Sequence, residues 1–364
     1  MIRLLRNTVL SLLLLAALVW CAVHLLTWRP EPREAATLTC RAESPVLVPG
    51  QALKVMTWNI QSLAGKRQAF AYTIDGGTSG NDTRPTAQDL AYNLDEVARI
   101  IRDEAPDLVL LQEVDDGARA TDGQDQLALL QERVVDLYPC TAQAFDWKAD
   151  FVPLPPVFGS VGRKLATLSK YRITQAVRLQ LAQRPGQWPI TAFEPRRAVL
   201  SSYLALRDGG QLAVLNTHLD PYQDGDDTPL QQLQKIVRRV DKLESLGTPW
   251  ILGGDLNMLP LGQQRRLAPA LSARYSPDSD LHLLWDKYPM IPSNTQASGS
   301  ERAQWLTYFP NDPGLTGPDR TLDYLVHSPR LQRVEARVRQ EDTLEISDHL
   351  PVIGRFLLPA APEP

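Results

Sequence analysis

The stretch Trp250-Ile251-Leu252-Gly253-Gly254-Asp255-Leu256-Asn257 ends an apolar run in two glycines, a carboxylate and an amide. Residues two apart in an extended segment leave the same face, so Asp255 and Asn257 are expected to project together. The glycines let other backbone or a ligand come close. Ligands of open α/β sheets gather beyond the carboxyl ends of strands, where this polar pair stands. Taken singly, an Asp or Asn at a strand end is more often a turn former. The same design recurs along the chain, however, as apolar strand candidates that end in a metal-type or phosphate-type side chain.

Upstream, Leu53 to Ile60 alternates as a strand and carries Asn59 at its end. Asp107 to Val114 is a continuous apolar strand of the kind buried on both faces, ending at Glu113. An unpaired carboxylate there would be costly, which a ligand role explains better than solvation does. Between these runs, Thr86 to Glu104 spaces Leu90, Leu94, Val97, Ile100 and Ile101 for one buried helix face, closed by Pro106. Further helices are expected over about 125–135 and 229–246. Strands follow at 165–168 and 176–181, then a hairpin of 198–206 and 212–219 around Asp208-Gly209-Gly210, delivering His218 at its far end. Later runs place Asp323 in Thr321 to Val326, and Asp348 and His349 in Ile346 to Val352. The Gly-, Asp-, Thr- and Ser-rich connection of 62–89 is a candidate functional loop. Residues 145–162, with Pro153, Pro155 and Pro156, read as irregular and close to the site. Within them, Phe151 to Phe158 is an apolar candidate for touching lipid, against the alternative of a loop packed on the body. No internal repeat and no second composition regime divide the body.

At 364 residues, 43% hydrophobic and 22% charged, the chain can bury a large core. Its net charge of −4 leans against tight nonspecific nucleic-acid binding, although a local basic patch stays open. Arg3 and Arg6 precede an apolar run from Thr8 to Leu26, about the twenty residues a bilayer requires. Residues 1–27 are therefore expected to be a single-pass anchor with a cytoplasmic amino terminus, which puts the body on the periplasmic or extracellular side. The rival is a cleaved signal peptide, but the run is longer than a usual signal core and no Ala-x-Ala site closes it. Residues 28–52, with Pro30, Pro32, Pro45 and Pro49, read as a linker, 53–358 as the catalytic body and 359–364 as a disordered tail. Cys21 lies in the anchor. Cys40 and Cys140 can pair in an oxidising compartment, or Cys140 can remain a free thiol. No cysteine spacing resembles a zinc site.

Six runs, in order, carry a resemblance: Thr57-Trp58-Asn59, Leu111-Gln112-Glu113, Asn216-Thr217-His218, Gly254-Asp255-Leu256-Asn257, Leu322-Asp323-Tyr324 and Ser347-Asp348-His349-Leu350-Pro351-Val352. Together they resemble the motif set of the endonuclease/exonuclease/phosphatase superfamily, from about residue 54 to 356. The resemblance implies a four-layer α/β sandwich of two packed, mostly antiparallel sheets flanked by helices. It also implies hydrolysis of phosphoesters dependent on Mg²⁺, with Mn²⁺ as a substitute. A hard cation held by carboxylate and amide oxygens suits that chemistry because it neutralises charge in the phosphoryl transition state. Glu113 is the implied principal metal ligand, with Asn59 and Asp348 as companions. Asp255 would orient or deprotonate the attacking water and Asn257 bond the phosphate. His349 would contact phosphoryl oxygens with Asp323 holding its ring, and His218 would bind phosphate or protonate the leaving oxygen. Arg197, with Arg196, is a further candidate phosphate contact, against the plainer reading of a solvated or helix-capping pair.

The expected activity is that of a phosphodiesterase acting on a phospholipid or small phosphodiester outside the cytosol. An extracytoplasmic nuclease and a catalytically idle relative that binds a phosphorylated ligand are the alternatives. The expected partners are the phosphoester substrate and the membrane, with nucleic acid not favoured and a monomer expected.

Overall fold

In a computed structural model describing residues 2–66, 84–153, 157–222, 225–312 and 314–360, the apolar runs become strands of two sheets. In chain order these are β1 (Arg33–Ala35), β2 (Thr37–Cys40), β3 (Ala52–Asn59), β4 (Leu108–Asp115), β5 (Cys140–Val152), β6 (Gly159–Ser169), β7 (Ile173–Gln180), β8 (Ala198–Ala205), β9 (Gln211–His218), β10 (Trp250–Asp255), β11 (Met290–Ile291), β12 (Asp323–His327), β13 (Gln332–Val338) and β14 (Val352–Leu357). One sheet runs β13-β14-β3-β4-β6-β5-β2 and the other β1-β7-β8-β9-β10-β12-β11. Pairing is mostly antiparallel, with parallel pairs at β3–β4 and β9–β10 that make both sheets mixed.

The long helices are α1 (Ile2–Leu26), α2 (Ala87–Glu104), α3 (Gln126–Val134) and α4 (Thr228–Ser245). Thr86 opens α2 with a reciprocal cap to Asp89, and left-handed Ala105 closes it before Pro106. Leu110, Leu165, Leu200, Val214 and Ile251 fill the space between the sheets. The apolar faces of α2 and α3 pack on Val109, Leu111 and Ala166 of the first sheet. Leu233, Ile236 and Val240 of α4 pack on Leu215 and Leu252 of the second. The result is the expected four layers, helix, sheet, sheet, helix. Alternating strands thus send one face to the central core and the other beneath a helix.

Two expectations are corrected. The segment 28–52, read as a linker, is built into the body: β1 pairs with β7 and β2 with β5, one at an edge of each sheet, and Leu47 is fully buried in the central core. Strands of three and four residues carry too little alternation to be legible alone, and their pairing comes from partners far along the chain. The segment 145–162 is not irregular. β5 and β6 extend through it as a long hairpin whose bulges absorb the breaks in pattern, while 154–156 lie outside the described residues. Most of the 62–89 loop and the last four residues of the expected tail also lie outside them. Cys40 stands opposite Cys140 in the β2–β5 register, and the two form a disulfide. Helix α1 is long and apolar enough to cross a membrane, with Val23 its one buried residue.

Candidate active site

The carboxyl ends of β9 and β10 and the start of β12 bring three side chains level: Asp255 pairs in register with His218 on one side and Asp323 on the other. Gly253 and Gly254 permit this, but not by admitting a ligand. A Cβ on Gly254 would stand 2.0 Å from the Thr217 carbonyl, and one on Gly253 would meet Leu110 of the opposite sheet at 2.7 Å. The glycines serve close strand and sheet packing.

From the facing sheet, Asn59 at the end of β3 donates its amide to Asp255 Oδ2 at 3.2 Å, while its Oδ1 accepts the Gln61 N–H. Glu113 sits at a register shift between β4 and β6 with φ of 53°. A bulge with a left-handed residue re-aims its side chain, and such backbone costs about 1–3 kcal/mol unless the surroundings impose it. Glu113 Oε1 lies 3.4 Å from Arg163 Nη1 and 3.8 Å from His218 Nδ1. The segment carrying Asp348 and His349 is stapled to β3: Ser347 Oγ donates to the Asn59 carbonyl, Trp58 Nε1 to the His349 carbonyl, and the Asp348 N–H to Gln61 Oε1.

His349 Nδ1 is 2.8 Å from Asp323 Oδ2, which also accepts from Thr307 Oγ1 at 2.7 Å. That contact fixes the ring, whose Nε2 lies 3.6 Å from Asp255 Oδ2. His218 Nε2 approaches the same oxygen at 3.3 Å. One Asp255 oxygen therefore faces two imidazoles and an amide.

The charge states diverge with these surroundings. Burial pushes the Asp255 carboxyl up to about 7, against the pull of His349. Asp348 is raised to about 7 by burial, with Glu113 and Asp323 adding to it. Burial lowers His218 well below the ordinary imidazole value, and Arg197 and Arg163 lower it further. Burial opposes charge on His349 too, yet Asp323 and Asp255 outweigh it and hold that ring well above the ordinary value.

Asp255, Asp323 and His349 offer ligand atoms within 4.8 Å of one another and can hold a divalent ion. A second donor set is the oxygen-only group expected from the sequence. Within it, Asp348 Oδ1 is buried without a partner and Glu113 meets protein donors only at long range, so both retain acceptor capacity. Oxygen donors of this kind suit a hard cation better than a set that includes an imidazole nitrogen.

Two expected geometries change. The strand ends at Asp255, and Asn257 has φ of 52°, so the two do not share an extended face. Asn257 instead donates its backbone N–H to Asp255 Oδ1 and its amide to the Leu219 carbonyl, both at 2.9 Å. Arg197 is neither solvated nor a helix cap. It is buried, with Nη1 2.9 Å from Asp146 Oδ2 and Nε 2.8 Å from Asp220 Oδ1. Arg163, Asp146, Asp220 and Thr307 escaped the sequence reading. Asp146 stands in the segment taken as irregular and Arg163 just beyond it, and Thr307 lies in a region without strand pattern. The one available signal was the basic pair Arg163-Lys164 entering an apolar strand.

Solved structures share this fold. An endonuclease/exonuclease/phosphatase from Beutenbergia cavernae DSM 12333 matches with a TM-score of 0.56 and 22% identity over 86% of this chain and 73% of its own. Truncated TDP2 from Caenorhabditis elegans matches at 0.51 and 19%, over 85% and 99%. The human Nocturnin catalytic domain, solved with bound sulfate, matches at 0.52 and 16%, over 88% and 96%. Comparison with curated proteins finds no match. The family model for the Endonuclease/Exonuclease/phosphatase family, by contrast, matches residues 56–349, which takes in the first five motifs whole and Ser347-Asp348-His349 of the sixth. The chain belongs to that family, and is a metal-dependent hydrolase of phosphoesters.

Proposed function

We propose that the protein is a Mg²⁺-dependent phosphodiesterase acting outside the cytosol on a phospholipid or a small phosphodiester. The observation that carries the chemistry is the meeting of Glu113, His218, Asp255, Asp323 and His349 from both sheets at one end of the sandwich. Glu113 and Asp348, with the amide oxygen of Asn59, would hold the ion, whose chemistry is to polarise the phosphoryl group and neutralise its charge.

The protein groups then have separable tasks. Asp255, held by Asn59 and by the Asn257 N–H, orients the attacking water and accepts its proton as the bond to phosphorus forms. His349, its Nδ1 occupied by Asp323, has Nε2 left to bond a phosphoryl oxygen. His218 presents Nε2 on the other side of Asp255 and suits a phosphate contact. Asn257, its amide nitrogen bonded to the Leu219 carbonyl, is the candidate for a further phosphate contact beside Asp255. Arg197 acts through Asp146 and Asp220, which fix it beside His218.

Location is supported by two features: the disulfide between Cys40 and Cys140, which suits an oxidising compartment, and basic residues ahead of α1. Turnover of bis-p-nitrophenyl phosphate with Mg²⁺, abolished by a chelator, is the expected result. Absence of metal-dependent turnover would instead support the ligand-binding alternative. A panel of glycerophospholipids, sphingomyelin, plasmid DNA and inositol phosphates tests the substrate. Preference for DNA with a steep salt dependence would replace the lipid reading with a nuclease.

A further inference from the structure

The last turn of α1 is part of the body. Val23 and Leu26 pack with Trp147, Ala149, Val152, Val161 and Phe193, and Thr27 forms a bridge with Ala149. Trp28 follows at once and meets the Phe145 ring edge-on at 6.0 Å. Cleavage behind the helix would uncover this cluster, so the packing favours a retained anchor over a removed signal. It also leaves no slack. If α1 spans, the residues around its carboxyl end stand at the level of the bilayer surface.

Two segments that supply the docking cluster also expose large apolar side chains beside it. Phe158, next to Val157 in the β5–β6 turn, is 55% exposed, and Trp188 and Ile190, ahead of Ala192 and Phe193, are each 50% exposed. Tryptophan is favoured at interfaces between water and lipid, and phenylalanine and isoleucine beside it supply apolar area that such an interface can bury. Charge at this rim is mixed: Arg29 and Lys148 are exposed, as is Asp150, with Glu194 half-buried. Its seat is therefore apolar rather than electrostatic. The active site lies on the same side. Asp146, one residue before Trp147, bonds Arg197 and pairs with Arg163, which reaches Glu113.

We propose that Phe158, Trp188 and Ile190 form an apolar collar around the base of α1 that seats in the bilayer surface and holds the cleft against lipid phosphodiesters. The substrate class rests on the phosphodiesterase reading; the seating does not. The full-length protein, with Cys21→Ala removing the free thiol, is labelled with bimane at Phe158→Cys, Trp188→Cys or Val334→Cys. It is then reconstituted in phosphatidylcholine–phosphatidylglycerol vesicles with doxyl-chain phosphatidylcholine. Val334, exposed on β13 at the opposite edge of the sheet, is the reference. Positions 158 and 188 should be blue-shifted and quenched by the doxyl lipid, unchanged at high salt, whereas 334 should be quenched only by aqueous iodide. Iodide access at 158 and 188 without lipid quenching overturns the collar. Shielding from both quenchers also overturns it, pointing to a protein occupant such as a second copy. Hydrolysis of bis-p-nitrophenyl phosphate in the same vesicles is read separately. Turnover without lipid quenching removes the collar alone, and lipid quenching without turnover removes the phosphodiesterase alone.

Discussion

The two ends of the sandwich treat buried charge in opposite ways. At the end before Leu108, Glu104 is paired with Lys54 at 2.7 Å, Arg339 at 2.9 Å and Arg337, and Arg339 goes on to Asp342, which also receives Arg99. Burial alone would raise Glu104, but Lys54 and the arginines outweigh it and hold it below the usual carboxylate range. Asp342 is lowered by its bonds from Arg339 and Arg99. At the other end, Asp255 and Asp348 are pushed up to about 7, and acceptor atoms of Asp323 and Asp348 are left without partners. Satisfied carboxylates fasten α2 to the sheet edge. Under-satisfied ones are what a site retains for a cation and a phosphate to complete.

The sharpest break of this contrast is Asp255→Asn. Hydrolysis should fall by about 10²–10⁴-fold, while the melting temperature holds or rises, because a costly buried carboxylate is gone. A folded variant that keeps wild-type turnover would remove the distinction. The converse is Glu104→Ala, which removes the carboxylate shared by Lys54, Arg337 and Arg339 and should cost about 1–3 kcal/mol of stability by denaturant unfolding. Activity per folded molecule should be unchanged. Thr307→Val removes a bond to Asp323 and should lower turnover about tenfold, the scale of one hydrogen bond to a charged group. If Thr307 merely packs, the loss will be one of stability instead. The smallest effect is on pH. Glu104 and Asp342 have folded values below their unfolded ones, so their contribution is complete above the ordinary carboxylate range. It is lost as pH falls through the depressed values. The melting temperature should therefore drop once pH falls below the ordinary carboxylate range, after a rise from pH 7 where the raised Asp255 and Asp348 take up protons, and Glu104→Ala should flatten the acid-side drop.

Much of the candidate site was legible because its residues lie at or near the ends of strands whose pattern is local. Asn59, Glu113, His218 and Asp255 each close an apolar run, and sheet pairing then aligns those ends. The alignment of Asp255 between His218 and Asp323 follows from strand register, which no single run contains. Left-handed backbone at Glu113 and Asn257 is invisible in their side chains, and it turns the expected Asp255–Asn257 face into a cap. Arg163 and Asp146 were hidden because prolines and glycines near the hairpin tip mask two strands that bulges allow to continue. β1 and β2 were hidden because what defines them is pairing with β7 and β5.

That last pairing bears on the order in which the molecule is made. β1 and β2 are synthesised directly after α1, yet Cys140, the partner of Cys40, comes 100 residues later, and the β7 partners of β1 later still. A chain growing from its amino terminus thus carries both strands unmatched through the synthesis of β3 and β4, and β1 through β5 and β6 as well. The fold closes where it began, beside the base of α1, and the crosslink records that closure.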